Sequence, residues 1–201
     1  MNVSLHEALA PYAIHEGTPA PGSTALLVID MQEFFSDIAR PIVANVGELV
    51  AAARLADAPV VFTRHGHHDL AVDGGVLADW WDHDLAMVGT PEWQVLTELA
   101  PGDDDVIIDK QRYSAFFGTN LDNILRDAGV TDLVICGVMT NCCCETTARD
   151  AFMRDYRVWV VADACAAENA DLHESSLKGL AYACAVITWT DEAVEAITAR
   201  G

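Results

Sequence analysis

The sequence predicts an α/β domain: a doubly wound, six-stranded parallel sheet with helices on both faces, arranged as a three-layer sandwich. Six short runs rich in Val and Ile recur along the 201 residues, and segments of helical period stand between them. No Pro/Gly/Ser-rich linker or internal repeat divides the chain, and 52% of it is hydrophobic. That content can core one domain over residues 1–201.

Taken in order, residues 24–30 form the first strand, because Leu26-Leu27-Val28-Ile29 is unbroken until Asp30. A helical pattern over 42–56 leads to a second strand at 59–64. Residues 66–101, with Trp80, Trp81, Trp93 and several glycines, hold neither period and read as one irregular insertion, the natural lid or substrate-pocket segment. A third strand at 105–110 ends on Lys110. The helix over 121–128 is opened by Thr119-Asn120 and stopped by Gly129. Strand 131–138, helix 141–156, strand 158–162, helix 172–183, strand 185–188 and a closing helix over 191–200 complete the alternation. Successive parallel strands require crossovers of one hand, which place helices on both faces.

Charge narrows the function. The 31 acidic residues against 11 basic give a net −20, a field that repels nucleic acid and anionic membranes. The acidic surface suits either a high-salt environment or an ordinary acidic cytosolic enzyme. The first 23 residues lack a basic, apolar signal pattern, and the longest apolar runs are strand-sized. Three of the six cysteines are adjacent and the other three lie in apolar runs, which fits a reduced cytoplasmic protein better than a disulfide scaffold.

Chemistry gathers at strand ends, where doubly wound sheets bind their ligands. Asp30 closes the first strand. Lys110, one of two lysines, closes the third. Cys142, Cys143 and Cys144 follow the fourth, at a strand-to-helix junction where a helix N-terminus favours a thiolate. A cysteine there is by default a packing residue. Helical register sends Cys144 toward Ala148, Ala151 and Phe152 and so into the core, but leaves Cys142 and Cys143 equally able to face a crevice. A carboxylate, an ammonium and a thiol at one crevice make a plausible nucleophilic triad.

Three segments, Leu27-Val28-Ile29-Asp30-Met31-Gln32, Asp109-Lys110-Gln111-Arg112-Tyr113-Ser114-Ala115-Phe116-Phe117-Gly118-Thr119-Asn120-Leu121 and Gly137-Val138-Met139-Thr140-Asn141-Cys142-Cys143, resemble the isochorismatase-like cysteine hydrolase superfamily. The resemblance runs from about Thr24 to the end. It implies a Rossmann-like six-stranded parallel sheet and a catalytic triad of Asp30, Lys110 and Cys143, so that the pattern Gly-Val-x-Thr-Asn-x-Cys selects Cys143. It further implies a cis peptide before Met139, an oxyanion hole from the N–H groups of Met139 and Cys143, and a homodimer or homotetramer.

Isochorismatases proper resemble this chain at 73–80 and 150–155 but typically carry Gly at the place of Cys143. Nicotinamidases share the triad but bind a metal through an Asp-x-His pair and a later His. Here that place reads Thr63-Arg64-His65-Gly66-His67-His68-Asp69, without the Asp. The expectation is therefore no metal and no cofactor, with His65, His67 and His68 as loop residues or substrate contacts. The expected reaction is hydrolysis of a small amide or ureide C–N bond through a thioester. The alternatives are a vinyl-ether hydrolase of the isochorismatase type and a catalytically silent binding subunit. Gln32, Phe35, Trp80, Tyr113 and Asn141 are the expected substrate-binding residues, with Phe116 and Trp81 as further candidates for the pocket wall.

Overall fold

The computed structural model describes residues 4–199. Strands β1 (Thr24–Ile29), β2 (Val60–His65), β3 (Val106–Lys110), β4 (Asp132–Val138), β5 (Arg157–Ala166) and β6 (Val186–Thr188) form one sheet in the order β3-β2-β1-β4-β5-β6. Every pairing is parallel. The winding direction reverses between β1 and β4, so the crevice beyond their carboxyl ends is the switch point where such a sheet receives a ligand.

All six residues of β1 are buried, as a central strand covered on both faces requires. Ala25, Leu27 and Ile29 pack with helices α5 (Leu121–Asp127), α6 (Glu145–Phe152) and α7 (Ala170–Ala183) through Leu121, Leu125, Ala148, Ala151, Leu177 and Leu180. Leu26 and Val28 point the other way, onto Val46, Leu49 and Ala53 of α3 (Val43–Leu55) and Ala193 and Ile197 of α8 (Thr190–Thr198). The period of two within the strand thus feeds two cores. Gly137 of β4 lies beside Ile29 at φ 118°, and a Cβ there would overlap the Ile29 carbonyl. Glycine is what lets β1 and β4 close up at the switch point.

The strands fall within a residue of where the sequence places them, except that β5 runs on four residues past 162 to Ala166. The helix expected over 141–156 is shorter: Thr140–Cys144 is a π-helical turn, and α6 begins at Glu145. Thr140 and Asn141 consequently are not helix caps. Helix α7 starts earlier than expected because the Asn169 side chain accepts the Leu172 N–H at 2.9 Å. The insertion is more ordered than its composition suggests, with a π-helical turn at Leu70–Gly74, helix α4 at Gly75–Trp80, and short 3-10 turns at Pro91–Trp93 and Thr97–Leu99. The short helices α1 (Leu5–Leu9) and α2 (Ser36–Ala39) have no counterpart in the sequence reading. Among the described residues no helix is long and apolar enough to cross a membrane.

Candidate active site

Asp30 stands one residue beyond β1, fully buried and at φ 48°. Left-handed backbone is uncommon for a residue other than glycine. Here the neighbouring strand holds it: Thr63 Oγ1 of β2 accepts the Asp30 N–H at 3.1 Å and donates to Asp30 Oδ1 at 2.5 Å. Lys110, at the end of β3, is two strands away in the sheet, and its stem passes the end of β2 to place Nζ 2.7 Å from Asp30 Oδ2. The contact is an ion pair off the hydrogen-bond direction, leaving Oδ2 without an aligned donor. Nζ also donates to the Arg112 carbonyl at 3.0 Å.

Burial alone would lower the Lys110 pKa, but the Asp30 carboxylate and Cys143 more than offset it and hold the ammonium above its ordinary value. The third group is Cys143, buried in the π-helical turn after β4 and close enough to Asp30 and Lys110 for their charges to act on its thiol. Burial pushes its thiol well above the ordinary value; Lys110 pulls it back, and the Asp30 carboxylate adds to the rise. The thiolate expected from a helix N-terminus is not the resting state. Burial of the thiol outweighs any help from the helix N-terminus, and α6 itself opens on an acidic residue, Glu145, two positions on.

Its two neighbours diverge. Cys144 is fully buried against the sheet, whereas Cys142 is half-buried near Tyr113, whose hydroxyl accepts Trp81 Nε1–H at 2.8 Å. The Val138–Met139 peptide is cis.

Above Cys143 opens a cavity of about 440 Å3. Phe34, Phe35, Trp81 and Tyr113 wall it, His65 and Met139 reach it, and Asp37, Asp84 and Glu168 stand at its mouth. A larger groove of about 780 Å3, between the 6–19 segment and α8, contains none of Asp30, Lys110 and Cys143.

Two expected substrate-binding residues, Phe35 and Tyr113, lie on this cavity, and three do not. Gln32 is buried, and its amide is spent bracing backbone: it accepts the His65 N–H at 2.7 Å and donates to the His65 and Trp93 carbonyls at 2.9 and 2.8 Å. Trp80 is 76% exposed and borders a separate groove with Phe117, because the turn of α4 sends adjacent indoles to different sides and Trp81 takes the cavity. Asn141 is half-buried off the cavity, its Oδ1 without a partner. Phe116 is a core residue stacked on Tyr156. Thr63 was missed altogether; its only signal in the sequence is a hydroxyl directly after the apolar run Val60-Val61-Phe62.

His65 is buried beside Lys110, and burial first, then that ammonium, press its pKa down to about 3. It is neutral at any physiological pH. His67 is buried with Nδ1 3.1 Å from Asp73 Oδ1, while His68 is exposed. Among the described residues no three His, Cys, Asp or Glu side chains are grouped to hold a metal, and the Lys110 ammonium beside His65 repels a cation there. The residues do not fit the metal of nicotinamidases.

Known proteins resemble this chain over most of its length. The isochorismatase domain family matches residues 24–192. Nicotinamidase 3 of Arabidopsis thaliana is 40% identical over 90% of this chain and 92% of its own length. The isochorismatase of Bacillus subtilis is 35% identical over 88% of this chain, which spans 59% of that longer protein. A crystal structure of a cysteine hydrolase from Pseudomonas syringae pv. phaseolicola superposes with a TM-score of 0.85 at 32% identity, over 90% of this chain and 97% of that one. The chain therefore belongs to the isochorismatase family.

Proposed function

We propose that the protein is a cysteine hydrolase that cleaves a small amide or ureide C–N bond through a thioester on Cys143. The observation that carries this reading is the meeting of Asp30, Lys110 and Cys143 in one buried cluster at the floor of the cavity. The likeness to a nicotinamidase over nearly the whole of both chains supports it.

Because Cys143 rests as a thiol, attack requires a base, and the unaligned Oδ2 of Asp30 is the acceptor at hand. As the proton moves to Asp30, negative charge moves to Sγ. Lys110 touches both groups, so it faces one anion before and after the transfer. The thiolate attacks the carbonyl carbon, and the N–H groups of Met139 and Cys143 receive the oxyanion. Asp30 then returns the proton to the leaving nitrogen, the C–N bond breaks, and a thioester remains. Water, deprotonated by Asp30, adds to the thioester and releases the acid and the free thiol.

The vinyl-ether alternative needs Asp30 alone and would leave the thiol and its contacts without a task. A silent binding subunit has no feature in its favour here. The working protein is a homodimer or homotetramer in the cytoplasm, an assembly supported by the exposed apolar side chains of Val76, Trp80 and Phe117.

The test is intact-protein mass measurement on the protein mixed with a panel of small amides and ureides. An acyl adduct should form, map to Cys143 and vanish in Cys143→Ala. Undiminished turnover by Cys143→Ala would remove the thioester route and favour the vinyl-ether reading.

A further inference from the structure

We infer that the site is charge-selective, taking small amides whose acyl portion is cationic and turning away those that carry a carboxylate. This rests on the amide-hydrolase reading above and specifies its substrate class. The first ground is the wall of the cavity. None of its described lining residues is Lys or Arg, and its one imidazole, His65, is held neutral. An anionic substrate would be desolvated here with no counter-ion, which is costly.

The cations nearby are already engaged. Lys110 is wholly buried beneath Cys143 on Asp30, Arg112 donates to the carbonyls of Asp73 and Gln111, and Arg64 pairs with Asp109 and stacks on Trp93. Arg40 is shared by Glu33 and Glu98.

The second ground is the mouth, where Asp37, Asp84 and Glu168 converge from α2, the insertion and the turn after β5. None of the three has a salt-bridge or side-chain hydrogen-bond partner among the described residues, so each offers an uncompensated charge. Behind them stand Phe34, Phe35 and Trp81, whose ring faces attract a cation. The net charge of −20 extends the same sign outward and draws cations toward the crevice.

Three flat amides of one shape test the inference: benzamide, 1-methylpyridinium-3-carboxamide and 3-carbamoylbenzoate, which are neutral, cationic and anionic. Affinity for Cys143→Ala is measured by calorimetry, and kcat/KM by wild type. The cation should be preferred to the anion by about tenfold or more, since three exposed charges each contribute a small factor. High salt should shrink that ratio. The triple variant Asp37→Asn, Asp84→Asn, Glu168→Gln should bring the ratio close to one, and the single variant Glu168→Gln should lower it part way.

Equal affinity for cation and anion, binding of none of the three, or a ratio unchanged in both variants would overturn the inference. Selective binding to Cys143→Ala without hydrolysis by wild type would keep the charge selectivity and sink the amidase reading. Hydrolysis of cation and anion at equal efficiency would do the reverse.

Discussion

Thr63 Oγ1 lies 2.5 Å from Asp30 Oδ1 while accepting the Asp30 N–H at 3.1 Å, so one hydroxyl on β2 both holds the left-handed turn after β1 and aims its carboxylate. Thr63→Val keeps the shape and removes the hydroxyl. It should cost about 1–3 kcal/mol, the usual penalty for orphaning a buried acceptor, and lower kcat more than it raises KM. Thr63→Ser should restore most of both. Denaturant melts beside Michaelis kinetics decide the matter, and a fully active Thr63→Val would show that Asp30 is aimed by something else.

Lys110 pairs with Asp30 inside the fold, where neither side chain reaches solvent. Its side chain is wholly buried, so Lys110→Ala strands the Asp30 carboxylate and should destabilise the protein by about 3–5 kcal/mol besides abolishing turnover. The sequence analysis placed Lys110 only at a strand end; its complete burial there is what the fold adds. Lys110→Met with Asp30→Asn should recover stability without activity. Lys178, paired with Glu174 one turn away on the outer side of α7, is the control, and Lys178→Ala should change unfolding free energy by less than about 0.5 kcal/mol.

The cysteine triplet should separate by environment. Cys143→Ala is expected to abolish hydrolysis, Cys142→Ala to retain it, and Cys144→Ala chiefly to lower stability by about 1 kcal/mol through the small cavity it leaves. Since Cys143 is buried and held well above the ordinary thiol value, its alkylation in the free protein should keep rising above neutral pH with no low-pH inflection. A plateau beginning below pH 7 would reveal a thiolate and contradict the desolvated site.

His65 links stability to acidity. Its folded pKa of about 3 lies below its unfolded value of 6.5, so between those limits the unfolded chain binds the extra proton and stability falls as pH falls. From pH 7 to pH 5 the imidazole alone should remove about 2 kcal/mol. His65→Gln should flatten that part of the profile in denaturant melts across the range, and an unchanged slope would place the titration elsewhere.

Much of this centre was legible before any coordinates. Asp30 and Lys110 could be located because an apolar run ends where the strand ends, and Gly129, at φ 69°, stops a helix through its own backbone. The motif around Cys143 carried the family, and with it the cis peptide. These are properties of the local chain, and local chemistry is what a sequence writes in order.

Tertiary packing decided the rest. Whether Cys143 is thiol or thiolate depends on desolvation by residues from several strands, and that burial overrode the helix dipole the sequence suggested. Trp81 rather than Trp80 faces the cavity because packing sets the rotation of a short helix whose own period is too brief to do so. Gln32 turned inward as a brace, and Thr63 and His65 joined the site from β2, because adjacency across a parallel sheet links positions more than thirty residues apart. Asp30, Lys110 and Cys143 were nameable from sequence, but their single buried contact exists only because β1, β2, β3 and β4 close side by side at the switch point.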